Sequence, residues 1–111
     1  DTWFSSSKEG FDSPRDRHIM HFVYLIISKN KGKIISYVGY TNNLKRRLLL
    51  HNSGKGAKFT KGRNWNLIYF EKFKKKNIAL KEEYKLKKNY KLRKEIKDNY
   101  IKNENFSTIT L

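Results

Sequence analysis

An apolar run in the first third of the chain constrains the fold more than any other feature. The segment "FVYLIIS" (22–28) is rich in β-branched and aromatic residues and is apolar on both of its faces. Such a run predicts a strand that is covered on both sides, in the middle of a sheet. It is far shorter than the roughly 20 apolar residues that a membrane-spanning helix needs.

A hairpin is predicted after this strand. The segment "KNKGK" reads as a turn, and "IISYVGY" (34–40) as the second strand. A two-residue turn at 30–31 places Tyr24 directly opposite Tyr37, and a turn at 31–32 makes them diagonal neighbours on the same face. A three-residue loop would break this relation. The two tyrosines then represent either ordinary aromatic packing across strands or two hydroxyl groups that face one cleft.

The remaining pattern predicts one more strand and three helices. Thr41 or Asn42 can cap the first helix. In chain order, the predicted elements are a helix over 43–51, a glycine- and lysine-rich loop over 52–63, a strand over 64–73, a helix over 77–90 and, over 91–103, either another helix or a continuation of that one. The order β-β-α-β-α-α predicts an α+β fold in which helices flank a small, central, three-stranded antiparallel sheet.

Charge divides the chain into regions. Residues 1–19 have a net charge of −1, are rich in Ser and Asp, and contain the one proline. This composition favours a disordered or extension segment, although packing of these residues on the domain is the alternative. Since the one methionine is Met20, we expect the folded domain to occupy residues 20–103 and a C-terminal tail to occupy 104–111.

The strong positive charge indicates a polyanionic partner. The 111 residues include 26 Lys and Arg against 10 Asp and Glu, for a net charge of +16. Nucleic acid is the commonest partner of such a surface, and a merely solvated lysine-rich surface is the alternative. The absence of cysteine excludes disulfides, thiolate metal sites and cysteine nucleophiles, and fits a cytoplasmic location. We expect no membrane association, and the oligomeric state stays open.

The first predicted helix places unusual residues beside its apolar stripe. Leu44, Leu48 and His51 share one side, and Arg47 lies one turn from His51. One interpretation is that the Arg47 stem covers the core while His51 makes local hydrogen bonds. The other is that both side chains belong to a site.

The second predicted helix carries a carboxylate in its apolar stripe. At 3.6 residues per turn, Ala79, Glu83, Leu86 and Tyr90 fall within a sector of roughly 60°. A carboxylate that faces the core costs several kcal/mol unless it is paired or binds a metal. Glu83 is therefore expected either to pair with a nearby lysine or arginine, or to hold a divalent cation.

These motifs, in this order, resemble the GIY-YIG nuclease family over residues 21–97. The tripeptide "FVY" (22–24) stands at the first family motif and keeps its tyrosine, and "YVG" (37–39) closely matches the second. Arg47 follows ten residues after the tyrosine of the second motif, and His51 four residues later, as in the family.

The second half of the chain extends this resemblance. The segment "ALKEEYKLKK" is similar to the family helix that carries the metal-binding glutamate, and Glu83 occupies that position. The loop "HNSGKGAKFTKGR" is similar to the small single-domain bacterial subgroup. The resemblance implies a GIY-YIG-like fold and a DNA endonuclease that uses one divalent ion, Mg²⁺ or Mn²⁺.

The resemblance also implies a role for each site residue. Glu83 would hold the metal, which acts on the phosphate and the leaving 3′ oxygen. Tyr37 would be the general base for the attacking water, helped by Tyr24, although which tyrosine takes the proton stays open. Arg47 would stabilise the negative charge of the transition state, and His51 would orient or assist a tyrosine.

Residues outside this set are expected to contact DNA. Gly39 suits a close approach of backbone or substrate. The basic residues expected at DNA phosphates are Lys45, Lys55, Lys58, Lys61 and Arg63. Phosphate contacts do not read sequence, and no helix-turn-helix or zinc finger is visible, so we expect low sequence specificity.

These expectations together describe a nuclease that acts on branched or nicked DNA in repair or processing. The alternatives are a non-catalytic, basic nucleic-acid-binding module and an interaction protein that merely has a basic surface. Cleavage of DNA separates the first alternative from the nuclease, and salt-insensitive or absent DNA binding would favour the second.

Overall fold

The described part of the chain begins just before the first strand. The computed structural model describes the backbone of residues 19–110 and the side chains of residues 19–103. The extension expected over 1–19 therefore lies outside the described residues, apart from Ile19. The proposed division of the chain into an extension, a domain and a tail stays a prediction.

Three antiparallel strands form the sheet, in the order β2-β1-β3. They are β1 (His21–Asn30), β2 (Lys33–Thr41) and β3 (Asn66–Phe73). Residues 23–28 of β1 are all buried, because this strand has a neighbour on each edge and helices on both faces. The α+β fold and the central position of the first strand, both predicted from the sequence, are confirmed.

The hairpin turn decides how the two tyrosines are related. Residues 31–32 form a two-residue turn with φ of 50° and 82°, the left-handed geometry that matches the twist of paired strands. The resulting register pairs Tyr24 with Gly39, and Ile26 with Tyr37. The tyrosines are thus diagonal neighbours on one face, which is the second of the two predicted arrangements.

Helices follow the hairpin and the third strand. They are α1 (Leu44–Asn52), α2 (Lys76–Lys88) and α3 (Tyr90–Thr110), with a 3₁₀ turn at Lys58–Thr60 in the loop after α1. The cap of α1 is Asn43, whose Oδ1 accepts a hydrogen bond from Arg46 N at 3.1 Å. The prediction of Thr41 or Asn42 is wrong, because the Thr41 hydroxyl already accepts a hydrogen bond from Asn43 N at 3.0 Å.

The break between the last two helices differs from the prediction. Asn89 leaves the helical conformation at φ −95° and ψ 79°. Its Oδ1 accepts a hydrogen bond from Leu92 N at 3.0 Å and so caps α3. Tyr90 is consequently 62% exposed and does not continue the apolar stripe, as the predicted helix over 77–90 required. The helix α3 also runs through most of the predicted tail, 104–111.

Each face of the sheet has its own apolar cluster. Helices α2 and α3 cover a cluster of Val23, Leu25, Val38, Ala79 and Leu86, with Ile96 packed against it. On the opposite face, α1 covers a cluster of Tyr24, Ile26 and Trp65, with Tyr37, Leu44, Leu48 and Leu67 packed against it. The second cluster contains both tyrosines of the predicted site.

Within residues 19–110, no helix combines the length and the apolar character that crossing a membrane requires.

Candidate active site

The two most deeply buried residues of helix α1 are polar. Arg47 is 8% exposed and His51 is fully buried, whereas Leu49 is 68% exposed. The residues lie one turn apart, so the helix directs both towards the sheet beneath it. A buried imidazole must be hydrogen-bonded to be stable, so its partners define the local structure.

A chain of hydrogen bonds passes through His51. Its Nε2 lies 2.7 Å from the Tyr24 hydroxyl, and its Nδ1 lies 2.9 Å from Thr60 Oγ1. The Thr60 hydroxyl donates its one proton to the carbonyl of Ala57, at 2.8 Å. The His51 Nδ1–H must therefore donate to Thr60, which leaves Nε2 to accept the proton of Tyr24. The interpretation that His51 bonds only locally is wrong, since Tyr24 lies on another element.

The environment keeps both members of this pair neutral. Burial raises the pKa of Tyr24 to about 12, although the adjacent Arg47, through a hydrogen bond and its charge, acts in the opposite direction. Burial, and to a smaller extent the charge of Arg47, lower the pKa of His51 to about 4. Near neutral pH, Tyr24 is thus a phenol and His51 an uncharged imidazole whose Nε2 can accept a proton.

Arg47 contacts the same hydroxyl from the other side. Its Nε donates to the Tyr24 oxygen at 3.4 Å. The Tyr24 hydroxyl therefore lies between a permanent cation and a neutral base, both supplied by α1. This arrangement favours a partial negative charge on the phenol oxygen when its proton moves towards His51.

Two glycines allow the close approach of these side chains. A Cβ at Gly39 would overlap the Tyr24 hydroxyl and would lie 3.0 Å from Tyr24 Cε2. A Cβ at Gly56 would lie 2.5 Å from His51 Nδ1. The close approach predicted at Gly39 therefore involves the Tyr24 ring, and a DNA contact there stays a prediction.

Tyr37 joins the site through its ring. Its centroid lies 5.3 Å from that of His51, 6.4 Å from that of Trp65 and 6.0 Å from that of Phe59. No ring contact links it with Tyr24 among the described residues, so the two tyrosines meet at His51 instead of packing on each other. Within the same part of the chain, the Tyr37 hydroxyl makes no hydrogen bond.

Glu83 approaches the site from α2. Its side chain is 19% exposed and forms an ion pair with Lys87 Nζ at 3.3 Å, as one of the two interpretations predicted. Its charge also acts on Tyr24, since it is among the causes that raise the Tyr24 pKa. Described contacts thus join Tyr24, Tyr37, Arg47 and His51, and Glu83 is linked to them through its charge. The catalytic roles of these five residues stay predictions.

Comparison with known proteins identifies the family of this chain. Residues 20–97 match the family model for the GIY-YIG catalytic domain. This chain belongs to the GIY-YIG family. GIY-YIG domains are nuclease domains that act on DNA and generally use a divalent metal ion.

Several bacterial members of this family are similar to the chain. A UPF0213 protein of Clostridium perfringens is 43% identical over 90 residues, which cover 78% of this chain and 94% of that protein. A UPF0213 protein of Oceanobacillus iheyensis is 44% identical over 66 residues, which cover 59% of this chain and 73% of that protein. No solved structure matches the chain significantly.

The Glu83 carboxylate fits the metal that GIY-YIG domains use. It is a hard oxygen ligand, partly open to solvent, and its Lys87 partner is exposed. Mg²⁺ and Mn²⁺ retain several waters and need few protein ligands. Among the described residues, no group of three or more His, Asp or Glu side chains could hold a metal, so Glu83 would act as a single protein ligand.

The predicted DNA-contact residues of this GIY-YIG domain lie mostly on one loop. Exposed side chains among them are Lys45 on α1, and Lys55, Lys58 and Lys61 on the loop after α1. Arg63 is partly buried, with its guanidinium 5.8 Å from the centre of the Phe59 ring. Their contacts with DNA stay predictions.

Sequence reasoning missed the residues that support His51. Thr60 accepts from the imidazole, and the Thr60 carbonyl in turn accepts a hydrogen bond from Trp65 Nε1 at 2.9 Å. Gly56 leaves room for the ring. These residues lie in a loop without periodicity, and their roles arise only when the loop folds over α1. The sole local signal is the fragment "KFT" (58–60), which places an aromatic residue and a threonine within a lysine-rich loop.

Proposed function

We propose that this protein is an endonuclease that hydrolyses DNA phosphodiester bonds with one divalent metal ion and low sequence specificity. The observation that supports it best is the Tyr24 hydroxyl, held between Arg47 and His51. A phenol that is hydrogen-bonded to an uncharged imidazole can give up its proton while taking one from water. A buried arrangement of this kind, in a strongly basic domain, suits attack of water on a phosphodiester.

The proton path follows from the hydrogen bonds. As the attacking water loses a proton to the Tyr24 oxygen, the Tyr24 proton passes to His51 Nε2, which is already directed at it. The resulting imidazolium keeps its Nδ1–H on Thr60, so His51 does not need to rotate. Since the pKa of Tyr24 is raised to about 12, the two transfers must be coupled, because a free phenolate is scarce at neutral pH.

Tyr37 is the general base in the hypothesis drawn from the sequence. The hydrogen bonds instead favour Tyr24, because its hydroxyl is the one bonded to His51. Tyr37 then positions the imidazole through its ring, 5.3 Å away.

Tyr24→Phe should abolish cleavage, and Tyr37→Phe, which keeps the ring, should retain most of it. The opposite result would return the general-base role to Tyr37.

Charge stabilisation completes the proposed site. Arg47 would neutralise part of the negative charge that develops on the phosphate in the transition state. A metal ion bound at Glu83 would supply Lewis-acid chemistry to the phosphate and stabilise the leaving 3′ oxygen. Mg²⁺ and Mn²⁺ are the ions proposed, because Glu83 supplies a hard oxygen ligand.

The proposal extends to substrate and setting. Phosphate contacts by lysines carry no sequence information, which supports low sequence specificity. Branched or nicked DNA, in repair or processing, is the proposed substrate. A cytoplasmic location is proposed from the absence of cysteine in the whole sequence.

Cleavage of supercoiled plasmid and branched DNA, with Mg²⁺ or Mn²⁺ and with EDTA, tests this function. Glu83→Gln and Arg47→Ala should lose activity. Glu82→Gln is a matched control, since Glu82 is the adjacent residue and also pairs with a lysine, Lys85, at 3.3 Å. Wild-type protein that binds DNA but never nicks it would support the non-catalytic binding module instead.

A further inference from the structure

An exposed aromatic ring lies beside the candidate active site and has no role in the proposed reaction. Phe59, in the 3₁₀ turn, is 50% exposed, although phenylalanine is among the residues most often buried. Single exposed apolar residues are common and need no explanation. Phe59 differs because it is held among other rings at the edge of a cleft.

Three contacts fix the orientation of this ring. It stacks on Tyr37 with an angle of 19° between the ring planes and contacts Trp65 at 6.3 Å between centroids. The turn that carries it is anchored on the far side, because the next residue, Thr60, hydrogen-bonds to His51 and Trp65. A rigid ring loses little conformational entropy when a flat ligand stacks on it.

A cleft opens next to this ring. It has a volume of about 300 Å³, at the lower end of the range for small-ligand sites. It is lined by Ser36, Tyr37, Val38, Phe59, Lys87 and Arg93. The lining thus combines two aromatic rings with two cationic side chains, and the Arg63 guanidinium adds a third cation 5.8 Å from the centre of the Phe59 ring.

Aromatic and cationic side chains in one cleft are the residues that bind an unpaired nucleotide. Single-stranded nucleic acids bind where bases stack on aromatic side chains and cations contact the adjacent phosphates. A paired base is already stacked within the duplex, so it presents no free face to such a ring. The cleft therefore distinguishes DNA by its local pairing rather than by its sequence.

We propose that the cleft lined by Tyr37 and Phe59 binds one unpaired base of the DNA substrate, with the exposed part of the Phe59 ring as the stacking surface. The inference rests on the proposed function in taking DNA as the partner. It narrows the substrate to DNA that is single-stranded or unpaired next to the cleaved bond. The stacked base would lie against Tyr37, whose ring contacts His51, and so next to the proton path.

Binding to a duplex with one bulged nucleotide tests this directly. In EDTA, where cleavage is prevented, fluorescence anisotropy compares that duplex with a fully paired duplex of equal length. Phe59→Leu, which keeps an apolar side chain but removes the flat ring, should weaken binding of the bulged duplex about 5- to 150-fold. Binding of the paired duplex should not change, and Phe59→Trp should retain the preference. Phe70→Leu is the matched control, because Phe70 is also 50% exposed.

A duplex whose bulged nucleotide lacks its base tests the same contact from the DNA side. Removing the bulged base should weaken wild-type binding as much as Phe59→Leu does. The two changes together should weaken binding no more than either change alone. Equal losses in wild type and Phe59→Leu on removal of the base would overturn the inference. So would equal weakening of bulged and paired duplexes by Phe59→Leu. Wild-type protein that binds the abasic bulge as tightly as the intact bulge would also overturn the inference, and this comparison needs no Phe59 variant to fold.

The outcomes separate this inference from the proposed function. If the wild type shows the bulge preference and its dependence on Phe59 but never cleaves with Mg²⁺ or Mn²⁺, only the nuclease proposal fails. If it cleaves paired and bulged DNA equally and Phe59→Leu has no effect on binding, only the base-binding site is lost.

Discussion

His51 Nε2 lies 2.7 Å from the Tyr24 hydroxyl, although the two residues are 27 positions apart in the sequence. This contact joins α1 to the central strand and places a neutral base beside a phenol. Both residues are buried, and burial raises the pKa of one and lowers the pKa of the other. The same hydrogen bond thus supports the fold and prepares the proposed reaction.

The protein should become less stable as the pH is lowered, because His51 is buried in its uncharged form. Its pKa is about 4 in the folded state and near 6.5 when unfolded, so between these values the unfolded state binds more protons. Lowering the pH from about 6.5 to about 4 should therefore remove about 3 kcal/mol of the free energy of unfolding through this group. Above pH 6.5 its contribution is fully present. Urea unfolding at several pH values measures it.

A variant without the imidazole isolates this effect from carboxylate titration. Tyr24, Tyr37 and Arg47 face His51 and stay in place in His51→Gln. This variant should be less stable at pH 7, and its stability should decline less steeply towards pH 4. Parallel curves for both proteins would mean that folding does not shift the pKa of His51.

The threonine hydroxyl should determine the tautomer of His51. Long-range ¹H–¹⁵N NMR should show a protonated Nδ1 and an unprotonated Nε2 in the wild type. Thr60→Val keeps the side-chain shape but leaves the buried Nδ1–H of His51 without a partner, and should cost roughly 1–3 kcal/mol of stability. Thr60→Ser should restore both stability and tautomer. A spectrum with Nε2 protonated would contradict the proposed direction of the hydrogen bonds.

A methyl group at Gly39 should displace Tyr24. Because its Cβ would overlap the phenol, Gly39→Ala should cost roughly 1–3 kcal/mol and reduce DNA cleavage strongly. The loss of stability should be smaller in a Tyr24→Leu background, which removes the overlapping atoms. Gly32→Ala is the control, since nothing lies near its Cβ and only its positive φ is strained. Equal losses of activity in Gly39→Ala and Gly32→Ala would exclude a specific role for the overlap.

The shape of the Arg47 side chain should matter as well as its charge. Its Nε donates to Tyr24, and a lysine ammonium cannot reproduce the planar geometry of the guanidinium. Arg47→Lys should therefore lower single-turnover cleavage about 100-fold, a loss typical of removing one donor to a developing negative charge. Full activity in Arg47→Lys would mean that charge alone suffices. Thermal unfolding of the variant separates this effect from a folding defect.

Local sequence patterns were sufficient for the framework of the fold. A strand that is apolar on both faces must be central, and helical spacing alone placed Arg47 beside His51 and Glu83 within an apolar stripe. The pattern was less reliable at element boundaries. Asn43 caps α1 instead of Thr41 or Asn42, and Asn89 ends the helix before Tyr90, because competing side-chain hydrogen bonds decide such ends.

The sequence by itself determined which residue types meet on the sheet, because spacing along strands and helices follows from backbone geometry. Only the tertiary structure decided how they are bonded. The turn at residues 31–32 set Gly39 beneath Tyr24, and the loop folded over α1 to bring Thr60 to His51. Those contacts join distant segments, and their strength depends on burial, which exists only once the sheet, α1 and the loop are assembled.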